Sequence, residues 1–364
     1  MPNRSADSRA LSAWLRRMPG LGALPFNTAP RRLYRVADLY NGRDPQNPGS
    51  WQDSFDNRVY RWTLGPDGKP RKLSLHETMV ERLHDTGIGQ AIARFIDKPK
   101  GKAVGFMGGH DVRRDDPAFR AVALLARTLR RAGTSIVTGG GPGLMEAANF
   151  GAFMAPFRDT AFNDAVARLI QNPDPADRAG WIASACDVRT RLLERWNASE
   201  DPKGWSLGIP TWYYGSEPPN LFASHSGKYF FNSVREDGLI SVCDGGIVFG
   251  AGSAGTVQEV FQDANLNFYR DKGAPAAPMV LMGTAFWNPR ANAKTKSAND
   301  PAPKPVYPLL AALSKQAAAP FDDALLLSDD VDAIAAFIKS FGIARKAKVM
   351  APRLHKKGRI ALAM

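Results

Sequence analysis

The residues best suited to chemistry fall in one stretch, Gly250-Ala-Gly-Ser-Ala-Gly-Thr-Val-Gln-Glu259, where six small residues run into a segment ending on an acid. Small residues admit a ligand close to the backbone, and a helix start presents unpaired N–H groups and a partial positive charge. That combination suits a phosphate. The loop spans Gly250–Gly255, the helix is expected from Thr256, and Thr256 with Glu259 spells a T-x-x-E capping box. Glu259 therefore has two readings: it satisfies the first turn of its own helix, or it meets the sugar of a nucleotide held at the glycines. Arg235, well upstream, is either a surface cation or a second catalytic group. Another glycine loop, Gly139-Gly140-Gly141-Pro142-Gly143, is not the G-x-G-x-x-G with an acid about 20 residues on that makes a dinucleotide fingerprint, and it lacks the Lys and Ser/Thr of a P-loop. Taken alone it is a tight strand-to-helix turn or half of an anion site.

The elements that would position these residues follow from hydrophobic period. Residues 1–98 form an N-terminal extension, rich in Arg, Pro, Gly and Asn over its first 70 residues, with Trp51, Tyr60 and Trp62 expected to pack on the main domain. Near Leu75 a helix begins, with Ser74 and Glu77 as its capping box. Gly87 and Gly89 leave open one long helix or two short ones. From Gly101 strands and helices alternate, the pattern of an α/β doubly wound parallel sheet with helices on both faces. Strands are expected at Ala103–Met107, Ser135–Thr138, Ser206–Pro210, Gly246–Phe249, Pro278–Gly283 and Ala324–Leu327. Asp116 caps a helix over Pro117–Arg131; further helices start at Leu144 and cover Asn232–Val242, Leu309–Ala318 and Val331–Phe341. Residues 155–205 read as a helical insertion, and 284–304 as a polar surface loop. The main domain spans 99–342, and 343–364 form a basic tail.

Thr138-Gly-Gly-Gly-Pro-Gly-Leu-Met-Glu-Ala-Ala-Asn149 resembles the G-G-G-x-x-G-L-M element of the LOG (LONELY GUY) family, in the form its longer members carry. Gly255-Thr256-Val257-Gln258-Glu259 resembles the end of that family's P-G-G-x-G-T-x-x-E element, and Gly105-Phe-Met-Gly-Gly109 its first strand and turn. The resemblance covers roughly residues 100–342. It implies a Rossmann-like fold, a homodimer or larger assembly, and hydrolysis of nucleoside 5′-monophosphates to free base and ribose 5-phosphate. By the same resemblance Glu259 and Arg235 are the catalytic pair. The nucleotide and its phosphate would lie against Gly108, Gly109, Gly139, Gly140, Gly141, Gly143, Met145, Gly252, Ser253, Gly255 and Thr256. Two departures stand out: the segment from Gly250 to Thr256 lacks the family's Pro and holds one extra residue, and Glu236 follows Arg235 where Lys is usual. A related alternative is a non-catalytic carrier, since molybdenum cofactor carriers resemble the same fold.

Composition narrows the class further. With 364 residues, 44% hydrophobic and 23% charged, the chain suits one large α/β domain with extensions. Its apolar runs fall short of the ~18 residues a membrane span needs, so no membrane is expected. Two cysteines without metal-ligand spacing fit a reducing cytoplasm, and neither a metal nor an organic cofactor is expected. The net charge of +13 is partly local: no acid follows Asp332, while eight Lys and Arg residues do. Nucleic-acid binding through that tail is conceivable, but a solvated or partner-docking tail is the favoured reading.

Overall fold

The computed structural model describes residues 13, 24–44, 46–97, 102–193, 204–213, 218–271, 273–290 and 302–341. The basic tail expected at 343–364 lies outside them. Among the described residues, three α-helices precede the sheet: α1 (Val36–Leu39), α2 (Phe55–Trp62) and α3 (Leu75–Ile96). The sheet region runs β1 (Ala103–Met107), α4 (Pro117–Arg131), β2 (Ser135–Thr138), α5 (Leu144–Phe153), α6 (Asp159–Leu169), α7 (Arg178–Leu193), β3 (Ser206–Gly208) and β4 (His225–Ser226). It continues with α8 (Asn232–Ser241), β5 (Ile247–Phe249), α9 (Ala254–Phe268), β6 (Met279–Leu281), α10 (Thr284–Trp287), α11 (Val306–Gln316), β7 (Leu325–Leu327) and α12 (Val331–Phe341).

Among the described residues, seven strands form one sheet in the order β4-β3-β2-β1-β5-β6-β7, every pair parallel. This is the doubly wound sheet expected from the alternating pattern. Side chains alternate across it. Val104 and Phe106 of β1 join a core with α4, α5, α7 and α12 on one face, while Ala103 and Met107 join α3, α8, α9 and α11 on the other. Both faces being covered, β1 is buried along its whole length, which is why it reads as a continuous apolar run rather than an alternating one. No described helix is long and apolar enough to cross a membrane.

Leu75–Ile96 is one continuous helix of 22 residues. Gly87 does not break it; a Cβ there would lie 2.7 Å from the Pro30 carbonyl oxygen, so the glycine admits the close passage of the preceding chain. The extension attaches through Phe26, Val59, Val80, Trp212 and Phe230, with Tyr60 and Trp62 against them. It also supports the domain that follows. Asp85 of α3 accepts hydrogen bonds from the backbone N–H groups of Phe230 (3.0 Å) and Phe231 (2.9 Å), and Phe231 is the N-cap residue of α8.

Three expectations need correction. Helix α9 starts at Ala254, not Thr256: Ser253 is its extended N-cap residue, and its carbonyl accepts the Val257 N–H, so Ala254 and Gly255 already belong to the first turn. The stretch 284–304 opens with a helical turn rather than loop, because Phe286 and Trp287 are buried and Trp287 Nε1 donates to the Phe249 and Met282 carbonyls. Finally, the edge strand β4 went unread; two residues in an irregular stretch carry no period.

Candidate functional site

From β1 the chain steps outward through β2, β3 and β4, then returns to lay β5 on the other side of β1. In an open parallel sheet, the crevice outside the strand ends at such a reversal is where ligands bind. The glycine loops after β1, β2 and β5 meet there. Gly109 N donates to the Ala251 carbonyl (2.8 Å), and Leu144 N donates to the Gly109 carbonyl (3.1 Å). Contact is close enough to exclude side chains. A Cβ on Gly143, where φ is +69°, would sit 2.2 Å from the Gly109 carbonyl oxygen. On Gly108 or Gly250 it would strike Leu144 Cδ1, at 2.5 and 2.3 Å. Gly252 faces Thr256 Oγ1 in the same way, and a Cβ on Gly139 would meet Met145 Sδ at 2.7 Å and Arg235 Nη1 at 3.8 Å. Gly140, with φ +78°, is pressed against Pro210.

The Gly139–Gly143 loop is held from below by buried polar groups. Asn220 N donates to the Gly140 carbonyl (2.8 Å), and Asn220 Nδ2 donates to the Gly141 carbonyl (3.0 Å) and to Asn149 Oδ1 (2.9 Å). Thr138 Oγ1 donates to the same Asn149 oxygen at 2.7 Å. With their carbonyls satisfied, the loop peptides are fixed in orientation. Across the crevice, the first turn of α9 is open: Ser253, Ala254 and Gly255 are exposed, and a Cβ on Gly255 would meet nothing within 4 Å. The first amides of a helix have no intrahelical acceptor, and Ser253 caps none of them.

The shifted helix start changes the status of Glu259. It lies in the second turn of α9, out of reach of the capping position, so its carboxylate is not spent on the helix start. Instead it faces Arg235 of α8, Oε1 to Nη1 at 3.8 Å, with side chains 14% and 10% exposed. Asn232 Oδ1 accepts from Arg235 Nη2 (2.9 Å) and Nε (3.2 Å), which aims the guanidinium. Glu236 accepts from Asn232 Nδ2 and from Gln258 Nε2, each at 2.7 Å, and so ties α8 to α9. Burial pushes the Glu259 carboxyl up to about 7; the Arg235 charge pulls the other way, and Glu236 adds a smaller push.

One turn further along α9, burial pushes Asp263 up to about 8, and its Oδ2 finds no hydrogen-bond partner among the described residues. Cys243 is buried against β1; burial pushes its thiol well above its ordinary value, and the charges of Asp263, Asp244 and Glu259 add smaller pushes. His225 is placed elsewhere, packed on Phe95 and Trp205 at the sheet edge. Among the described residues, no group of three or more His, Cys, Asp or Glu is arranged to hold a metal ion.

Sequence reasoning missed Asn220, Asp263 and Lys304. Lys304 donates from Nζ to the Gly252 carbonyl at 2.8 Å, across 52 residues of sequence, and nothing in its Pro-Ala-Pro-Lys-Pro context marks it. Asn220 left only a turn signal, the prolines before it. Asp263 sits at an apolar period position of α9, where a lone acid was a visible anomaly. Neither the family models nor the curated proteins compared with this chain match it, so the functional reading stands on the fold and on the geometry at the mouth of β1 and β5.

Proposed function

We propose that this chain hydrolyses the N-glycosidic bond of a nucleoside 5′-monophosphate, releasing free base and ribose 5-phosphate. The observation that carries the reading is the Glu259–Arg235 pair at 3.8 Å, set one helical turn behind the open N-terminus of α9. The exposed amides at Ser253–Gly255 suit the 5′-phosphate. Gly255 and Glu259 are four residues apart, about 6 Å of helix rise, and a helical side chain leans back toward the N-terminus. A ribose anchored by its phosphate at the first turn would thus lie over the carboxyl.

Breaking the glycosidic bond builds oxocarbenium character on the ribose. The Glu259 carboxylate stabilises that charge and orients water or the sugar hydroxyls, while Arg235 holds the carboxylate in place and balances the phosphate. Its elevated pKa leaves Glu259 able to exchange a proton near neutral pH. The likeness of the two glycine motifs to the LOG family supports the same reading, and a cytoplasmic homodimer goes with it. The test is to incubate the protein with a panel of nucleoside monophosphates and assay ribose 5-phosphate. Glu259→Gln is expected to lower release by roughly 100-fold or more while retaining nucleotide binding; unchanged turnover refutes the assignment. Nucleotide binding by the unsubstituted chain with no base released would instead identify a non-catalytic carrier.

A further inference from the structure

The loop between β5 and α9 is held by a cation from a distant segment. Lys304 is anchored on both sides: its N–H donates to the Phe286 carbonyl (2.9 Å), and its own carbonyl accepts from Val306 N (2.7 Å). Its ammonium lies 4.9 Å over the Phe286 ring and donates to the Gly252 carbonyl at 2.8 Å. The preceding carbonyl, Ala251, is held by Gly109 N at 2.8 Å. Two successive carbonyls of the loop are therefore tied to donors. In a planar trans peptide the N–H points opposite the C=O, so each tie also aims the next N–H.

We propose that Lys304 is a positioning residue for a phosphate monoester: by holding the Gly252 carbonyl it turns the Ser253 N–H toward the anion at the open end of α9. The ammonium then lies across that peptide from the anion, so it acts by fixing and polarising the peptide rather than by touching the ligand. This inference rests on the reading of the loop as a phosphate site. Lys304 belongs to neither glycine motif.

The test compares the full chain with Lys304→Met and Lys304→Arg, titrated calorimetrically with ribose 5-phosphate, inorganic phosphate and unphosphorylated ribose, with thermal unfolding as the fold check. Lys304→Met keeps length and apolar stem but removes charge and donor. It is expected to weaken both phosphates by roughly tenfold to a hundredfold and leave ribose unchanged; Lys304→Arg is expected to restore most of the affinity. A role in packing alone predicts the reverse order, since Met fits the space better than Arg. If the unsubstituted chain binds phosphates and Lys304→Met binds them equally, the positioning role is overturned while the phosphate site stands. If the unsubstituted chain binds neither phosphate, the site itself falls, and this inference with it.

Discussion

Replacing Arg235 by Met removes the charge that opposes the protonation of Glu259. Unit charges about 4 Å apart attract by ~4 kcal/mol at an effective dielectric near 20, and by ~1 kcal/mol in bulk water. The two side chains are 10% and 14% exposed, and the guanidinium is shared with Asn232 and Glu236. The lower part of that range applies, about 1–2 kcal/mol, or roughly one pKa unit. Glu259, already pushed up to about 7, is then expected to titrate near ~8 in Arg235→Met. At pH 7 its ionised fraction falls from about a half to about a tenth. The assay is a ¹³C NMR titration of carboxyl carbons, with the Glu259 signal assigned by its loss in Glu259→Gln. The same change has a stability signature. A carboxyl whose folded pKa is raised binds more protons folded than unfolded, so stability falls as pH rises from its ordinary value through the raised one. The Arg235→Met variant is expected to lose more stability at pH 8 than at pH 5. A Glu259 titration at or below that of the unsubstituted protein refutes the reasoning, because Arg235 would then not act on the carboxyl.

Two further predictions concern what holds the site together. Gly143→Ala places a Cβ 2.2 Å from the Gly109 carbonyl oxygen at φ +69°, and is expected to cost about 2–4 kcal/mol in urea unfolding. Gly68→Ala, at φ +72° with nothing within 4 Å, should cost only ~1 kcal/mol. Equal losses would show that loop contact is not what demands the glycine. Asp263→Asn removes a carboxyl pushed up to about 8 by burial. Such a group makes stability fall by up to ~1.4 kcal/mol per pH unit between its ordinary and raised values. Chemical denaturation at pH 5, 6 and 7 should show that slope in the unsubstituted chain and a shallower one in the variant; equal slopes would mean Asp263 does not titrate as its burial requires.

Much of the fold was legible because it is written in local periods. The fully buried run Ala103–Met107 and the Asp116-Pro117 start of α4 appear in the structure at the residues where pattern and capping chemistry put them. So does Val331–Phe341. The start of α9 differs by two residues because the T-x-x-E spacing of Thr256 and Glu259 imitates a capping box, whereas the N-cap residue is Ser253, whose side chain makes no cap hydrogen bond. The two residues matter, since a Glu259 outside the cap is placed to face Arg235 instead. Other features have no local signature at all, among them Trp287 filling the core beneath β5 and Asp85 tying α3 to the start of α8.

By itself the sequence determined the parallel sheet, the two glycine turns and the presence of an acid and a guanidinium near them, because hydrophobic period and glycine placement act over a few neighbouring residues. Only the tertiary structure decided that the turns touch, that Arg235 meets Glu259, that Asp263 is shut away from water and that Lys304 reaches Gly252. Those outcomes depend on strand order: β5 returns to the side of β1 opposite β2, and that reversal brings distant loops to one crevice.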